Sequence, residues 1–309
     1  DGDYHKKCIV RSNGVVENFA LGVDKATFIP LEGKDFMDPQ YLSEEVDHSW
    51  FTYPNGTSTL HPIDGVTEPK FTGPKSGTKE KWEFLDEDKK YSWIKSPTFK
   101  GKTAEVGPLA KYIVVYTKVK QGIIKDPTWA EAMIVRQIDT VSQVLGVPAH
   151  VWMTTMVGRT ACRGLDAQVA ANISQYFYNK LVTNIKNGDT AVADMTKFEP
   201  NTWSKDAKGV GLVDAPRGGL GHWIHIKDGR SANYQCIVPS TWNACPKTAA
   251  NEHGAYEDSM IDTHIKIADK PLEILKVIHS FDPCLACATH LYNKKGEKIV
   301  SVNTDALCK

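Results

Sequence analysis

Leu165-Asp-Ala-Gln-Val169-Ala-Ala-Asn-Ile173-Ser-Gln-Tyr-Phe177-Tyr-Asn-Lys-Leu181-Val-Thr-Asn-Ile185 repeats an apolar side chain every four residues until Asn187-Gly188 breaks the pattern. That step keeps the side chains on one stripe of an α-helix, so the segment predicts a long helix that needs partners along its length. Two further helices precede it. Pro108 has the character of a first-turn proline, and Leu109, Ile113, Tyr116 and Val119 follow at spacings of three and four, ending near Gly122. Asp126-Pro127 reads as an N-cap followed by a first-turn proline, with Trp129, Met133, Ile138, Val141 and Leu145 forming an apolar face up to Gly146. Three amphipathic helices close in sequence are expected to pack on one another.

Outward from this bundle the pattern changes on both sides. The first hundred residues are punctuated by turn signals: Asn13-Gly14, Glu32-Gly33-Lys34, Tyr53 to Ser58, Asp64-Gly65 and Thr72 to Gly77. Short strands and long loops are expected there, with a brief helix near Asp38-Pro-Gln-Tyr-Leu-Ser-Glu-Glu45. After about residue 208, His222-Trp-Ile-His-Ile-Lys227 and Ala232-Asn-Tyr-Gln-Cys-Ile-Val238 flank Asp228-Gly229, a strong hairpin signal. Pro271 to Ser280 reads as a last helix that delivers the segment His279-Ser-Phe-Asp-Pro-Cys-Leu-Ala-Cys-Ala-Thr-His290. The fold class expected is α+β, mainly helical, with a long antiparallel helix bundle. Residues 1–103 are expected to form a turn-rich α+β segment, 104–190 the helical bundle, 191–290 a hairpin and helix segment with candidate metal ligands, and 291–309 a polar, loosely attached C-terminal extension.

Composition limits what such a chain can do. Lys+Arg and Asp+Glu both number 37, so the formal charge is zero and nothing draws nucleic acid or anionic lipid to the chain as a whole. Hydrophobic residues make up 41% and charged residues 24%, values that exclude wholesale disorder. No stretch reaches the roughly 18 to 20 apolar residues of a membrane-spanning helix, and the start lacks a signal-peptide pattern. The first Met is Met37, which is expected of a processed chain or of one that begins inside a longer sequence.

The seven cysteines stand at 8, 162, 236, 245, 284, 287 and 308, without the spacing of a disulfide scaffold. Cys8, Cys162, Cys236, Cys245 and Cys308 are isolated and read as small buried hydrophobes. Cys284 and Cys287, with His290, make a Cys-x-x-Cys-x-x-His cluster. On spacing alone this fits structural zinc, a thiol–disulfide switch, another soft or borderline metal, or no site. Arg217 lies in Ala215-Pro-Arg-Gly-Gly219, where a tight loop projects a fork of donors or merely a surface charge. Pro239-Ser240-Thr241-Trp242-Asn243 sets two hydroxyls and an amide after a strand, in a functional turn or an ordinary one.

Taken together, the ordered blocks at residues 214–223 (DAPRGGLGHW), 227–230 (KDGR), 234–243 (YQCIVPSTWN), 254–257 (GAYE), 271–275 (PLEIL) and 279–290 (HSFDPCLACATH) resemble the C-terminal half of the large subunit of nickel-iron hydrogenases, of the membrane-associated respiratory uptake kind. Upstream, HSWFTY at 48–53, LHPIDGVTEP at 60–69, KYSWIKSP at 90–97, EVGPLAKYI at 105–113 and GRTACRGLDA at 158–167 extend the resemblance over nearly the whole chain. It implies reversible oxidation of dihydrogen to protons and electrons. By the same resemblance Cys284 is the terminal nickel ligand, and Cys287 bridges nickel to an iron that carries carbon monoxide and cyanide. Arg217 overhangs the open metal position, Asp282 pairs with that arginine, and Ser240, after Pro239, hydrogen-bonds an iron cyanide. His290 and the backbone carbonyl of Cys236 hold magnesium. A maturation protease is expected to cut after His290 and release Leu291 to Lys309.

The implied partners are an iron-sulfur small subunit, since no cluster-binding cysteine spacing occurs here, and a membrane cytochrome b. The implied location is the periplasmic side of the membrane, reached through a signal on the partner, with the cytoplasm as the other possibility. One element of the family pattern is missing: the sequence has no Arg-x-Cys-Gly-x-Cys segment, so it supplies two of four nickel thiolates. The alternatives are a non-catalytic relative, such as a hydrogen sensor or assembly subunit, and a zinc module built on Cys284, Cys287 and His290. A homologous subunit of a quinone-reducing complex would lack this cysteine pair, and a sensor would lack the cleavable tail.

Overall fold

The computed structural model describes residues 37–72, 89–196, 198–284, 289–292 and 298–302. Cys8, Cys287, Cys308 and the turn signals at 13–14, 32–34 and 73–77 lie outside them.

Asp38 closes a turn where a brief helix was expected. Its carboxylate accepts from the Gln40 N–H at 2.9 Å and its carbonyl from the Tyr41 N–H at 3.0 Å. The chain then enters strand β1, Leu42–Glu45. A short run of Leu, Ser and Glu is neutral between helix and strand, and tertiary pairing decides it. β1 lies antiparallel between β3 (Thr59–Leu60) and β5 (Ser96–Phe99), while β2 (Phe51–Thr52) pairs with β4 (Glu68–Pro69). In that register Leu42 is fully buried, and Glu44 is buried against Lys95 at 2.5 Å.

The helical region follows the expected order with shifted starts. Helix α1, Pro108–Lys120, opens with Pro108 as expected and is buried on most of its faces. Helix α2, Trp129–Leu145, begins two residues later than Asp126-Pro127 implies. Thr128 and Glu131 form a capping box there, each accepting from the other's backbone N–H, and a box that satisfies two orphan donors outcompetes a lone Asp. After α3 (Ala149–Met153) comes the long helix α4, Met156–Lys186, started by the Thr155 hydroxyl accepting from the Gly158 N–H.

Helices α1, α2, α3 and α4 share a core of Leu109, Tyr112, Ile134, Ile138, Met153 and Val169. The stripe of α4 is only half covered. Leu165, Val169 and Ile173 join the core, whereas Phe177, Leu181 and Ile185 are 57, 56 and 54% exposed.

Beyond the bundle, β6 (Asp206–Ala215), β7 (Gly218–Lys227) and β8 (Arg230–Ile237) form an antiparallel meander. Asp228 and Gly229 both take left-handed φ values, 50° and 72°, which makes the turn the Asp-Gly pair signals. Trp223, Ile237 and Trp242 from this side pack on Leu42, Phe99 and Val106 in a second core. Three short helices complete the chain: α5 (Pro239–Asn243), α6 (Ala255–Met260) and α7 (Leu272–Ser280). Strands β9 (Thr289–Tyr292) and β10 (Lys298–Val302) pair antiparallel, so the His290–Leu291 bond lies within a strand. Among the described residues, no helix is long and apolar enough to cross a membrane.

Candidate metal centre

The end of α7 meets three other chain segments around the start of α1. Phe281 ends the helix, and Asp282 turns the chain with a left-handed φ of 56°, so that Pro283 and Cys284 leave it at a sharp angle. The Cys284 N–H donates to the Ser240 hydroxyl at 3.4 Å, which ties the cysteine to the first turn of α5. Pro239 is the buried first residue of that helix, and it fixes the backbone beside Ser240. Asn243, at the other end of α5, accepts from the Val106 N–H at 2.9 Å and donates to the Val106 carbonyl at 2.7 Å. This buried amide substitutes for a peptide partner and locks α5 to the segment leading into α1.

Arg217 sits in the two-residue turn between β6 and β7, where Ala215 pairs with Gly218. Gly218 has φ of 122°, and a Cβ placed on it would lie 2.5 Å from the Gly107 nitrogen. Two glycines thus let the turn that carries Arg217 touch the start of α1. The Arg217 Nε is buried without a hydrogen-bond partner.

The expected pairing of Asp282 with Arg217 is not present. The Asp282 carboxylate is engaged instead by Arg163 of α4, Nη2 to Oδ1 at 3.1 Å, and Nη1 of the same guanidinium donates to the His279 carbonyl at 3.1 Å. One turn earlier on α4, Arg159 makes a two-pronged pair with Glu105 at 2.8 Å for both contacts and lies 4.3 Å from the centre of the Phe281 ring. Tyr256 of α6 packs on Phe281, and its buried hydroxyl has no hydrogen-bond partner. Burial raises the Tyr256 phenol above its ordinary range, and the nearby Asp282 carboxylate raises it further. Sequence reading did not single out Arg159, Arg163 or Tyr256. The signal for the arginines was their spacing of four in Gly158-Arg-Thr-Ala-Cys-Arg-Gly-Leu165, which places them on one face of α4.

A groove of about 800 Å³ opens beside Asp282, between α1, α4 and the β6–β7 turn. Its polar wall is Arg163, Asp166, Lys111 and Asp282, and its apolar wall includes Ile134, Val169 and Ile173. Lys111 and Asp166 are themselves paired at 2.7 Å.

The thiols divide by environment. Cys284 is exposed, whereas Cys162 and Cys245 are buried. Burial pushes the Cys162 thiol up to about 12, with a further rise from Glu105, and burial likewise raises Cys245. These two are the inert small hydrophobes their isolation implied, and Cys284 is the thiol open to a soft metal. Cys236 lies in β8 opposite His222, and its carbonyl accepts from Gln235 Nε2 at 3.3 Å. His290 lies in β9 opposite Ser301.

Among the described residues no three His, Cys, Asp or Glu side chains gather as a complete metal site. The donors that are described fit one edge of a thiolate-held metal: an unburied sulfur with the Ser240 hydroxyl bonded to its own backbone N–H.

Known proteins share this chain's pattern. It is 47% identical over 302 residues to the uptake hydrogenase large subunit of Rhizobium leguminosarum bv. viciae, covering 97% of this chain and 48% of that protein. Identity to the Hydrogenase-1 large chain of Escherichia coli (strain K12) is 41% over 301 residues, covering 97% of this chain and 47% of that one. The chain thus spans about half the length of the curated relatives it matches. Among solved structures it is similar to the Ni-Fe-Se hydrogenase of Desulfomicrobium baculatum, at TM-score 0.58 and 24% identity over 81% of this chain and 45% of that chain. It is also similar to that of D. vulgaris Hildenborough, at TM-score 0.54 and 24% identity over 84% and 46%. At such identity these likenesses establish the fold alone, a mixed helix and sheet architecture. The family profile for nickel-dependent hydrogenases matches residues 4–290, nearly the whole length over which the site is built, and the chain belongs to that family.

Proposed function

We propose that this chain is the C-terminal part of the large subunit of an uptake-type nickel-iron hydrogenase, which converts H2 reversibly into two protons and two electrons. The observation that carries the reading is the exposed Cys284, whose backbone N–H donates to the Ser240 hydroxyl, in a chain of this family. Cys284 and Cys287 would hold nickel and iron as two of four thiolates, the other two coming from polypeptide outside these 309 residues. Carbon monoxide and cyanide complete the iron, and the centre supplies the heterolytic splitting of dihydrogen when bound.

The chain's own residues then have distinct tasks. The Cys284 sulfur can take up the proton that leaves H2, because a terminal thiolate keeps lone pairs free. Arg217 contributes a fixed cation and a fork of donors at the open position, where positioning and polarisation are the roles suited to guanidinium. Ser240, held by the Cys284 N–H, has its own hydroxyl proton left to donate to a cyanide nitrogen. His290 and the Cys236 carbonyl would hold magnesium, and cleavage after His290 would release the tail from Leu291 onward. Electrons would leave through an iron-sulfur small subunit to a membrane cytochrome b, with the complex on the periplasmic side of the membrane.

Purifying the full-length subunit with its partner tests this. About one nickel per complex and H2-dependent reduction of a dye are expected, both lost in Cys284→Ala and both kept in Cys245→Ala. A nickel-free wild-type complex that takes up no hydrogen would sink the proposal.

A further inference from the structure

We propose that Arg163 is a positioning residue for the proposed metal centre: it clamps the turn that aims Cys284. The inference rests on the nickel-iron reading above.

Four observations converge on it. Asp282 occupies a left-handed φ of 56°, a region that Asp enters more readily than most side chains but that still costs energy relative to the right-handed one. The backbone closes that turn with two bonds, the Phe281 N–H to the Ile278 carbonyl and the Asp282 N–H to the His279 carbonyl, both at 3.1 Å. Arg163 adds two side-chain ties, to the His279 carbonyl and to the Asp282 carboxylate, both at 3.1 Å. A planar guanidinium can bridge two acceptors in one fixed geometry, which a lysine ammonium on a flexible stem does not reproduce.

Behind Arg163 the anchor is rigid. Arg159, one turn earlier on α4, is buried, doubly bonded to Glu105 and stacked on Phe281, so α4 grips two consecutive residues, Phe281 and Asp282, just before Cys284. The Arg163–Asp282 pair is 38 and 27% exposed, and pairs of that exposure contribute little to stability. Its effect is therefore on geometry.

The test uses the complete hydrogenase, large and small subunits together, with Arg163→Met and Arg163→Lys. Readouts are nickel per iron, the infrared bands of the iron-bound carbon monoxide and cyanide, the kcat and KM for H2, and the thermal midpoint. Arg163→Met is expected to retain metal and melt as wild type, to shift the infrared bands, and to lose at least about tenfold in kcat with KM unchanged, the effect of a small misplacement at a reacting centre. Arg163→Lys should recover part of the rate and move the bands part of the way back.

Wild-type bands and kcat in metal-loaded Arg163→Met would overturn the positioning role. So would loss of activity that only tracks loss of nickel while the remaining spectrum stays unchanged. Should Arg163→Met fail to assemble, Arg163→Lys carries the same test, and unshifted bands with full rate in it count against the proposal. A wild-type complex without nickel defeats the functional reading instead, which keeps the two failures apart.

Discussion

Cys284, Cys162 and Cys245 are the same side chain in different surroundings, and the surroundings decide their chemistry. Alkylation needs the thiolate and a path for the reagent. Cys162 is sealed in the helical core with its thiol pushed up to about 12, and Cys245 is fully buried beneath α5 and α6. Cys284 is exposed. Iodoacetamide at mildly alkaline pH should label Cys284 in the folded metal-free chain and reach Cys162 and Cys245 only after denaturant, as peptide mass mapping would report. Labelling of Cys162 at the rate of Cys284 would contradict the assigned burial. Sequence spacing was enough to separate Cys284 from the isolated cysteines, because a Cys-x-x-Cys is a local pattern. Arg163 was not legible in the same way. Its contacts lie 116 and 119 residues away, and only the packing of α4 against α7 brings them together.

Helix identity was legible because it rests on periodicity, whereas helix starts depend on individual caps. The long stripe of α4 and the first-turn Pro108 gave the right elements, but α2 starts where Thr128 and Glu131 satisfy each other's backbone, beyond Asp126-Pro127. The short strand β1 was misread because its four residues carry no helical or strand preference until Glu44 finds Lys95 and Leu42 finds Phe99. Periodicity also cannot say how much of a stripe is covered. In α4 the cover stops after Ile173, which leaves Phe177, Leu181 and Ile185 facing outward. Ile138→Ala in the core should therefore cost about 2–5 kcal/mol, whereas Leu181→Ser should stay within about 0.5 kcal/mol of wild type. Urea midpoints measure both. The exposed stripe also makes self-association the expected behaviour of the isolated chain. Phe177→Ser with Leu181→Ser should raise the monomer fraction in sedimentation, and an unchanged distribution would show that another surface drives association.

Residues leading into α1 tie the two larger cores together, and the candidate centre is built beside them. Residues 103–107 run from the sheet side into α1; Val106 is held by Asn243 of α5, and Glu105 by Arg159 of α4, whose guanidinium lies on Phe281. This arrangement could not be read from sequence, since a buried Glu and a buried Arg look like surface residues until their partner is known. Both charges are almost fully buried, Glu105 at 1% exposure and Arg159 at 5%. Removing one partner leaves the other charged in a medium that cannot solvate it, a loss of about 3–5 kcal/mol. Glu105→Leu and Arg159→Met should therefore each lower the denaturation midpoint sharply. Glu105→Leu with Arg159→Met, which removes both charges and keeps the volume, should return to within about 1 kcal/mol of wild type or exceed it. A double-mutant cycle reads the coupling directly. If the two single losses simply added in the double variant, the pair would not be the link between the cores. If the double variant recovers stability, Phe281 still loses the cation beneath its ring, so the turn at Asp282 and the reactivity of Cys284 should change even in a chain as stable as wild type.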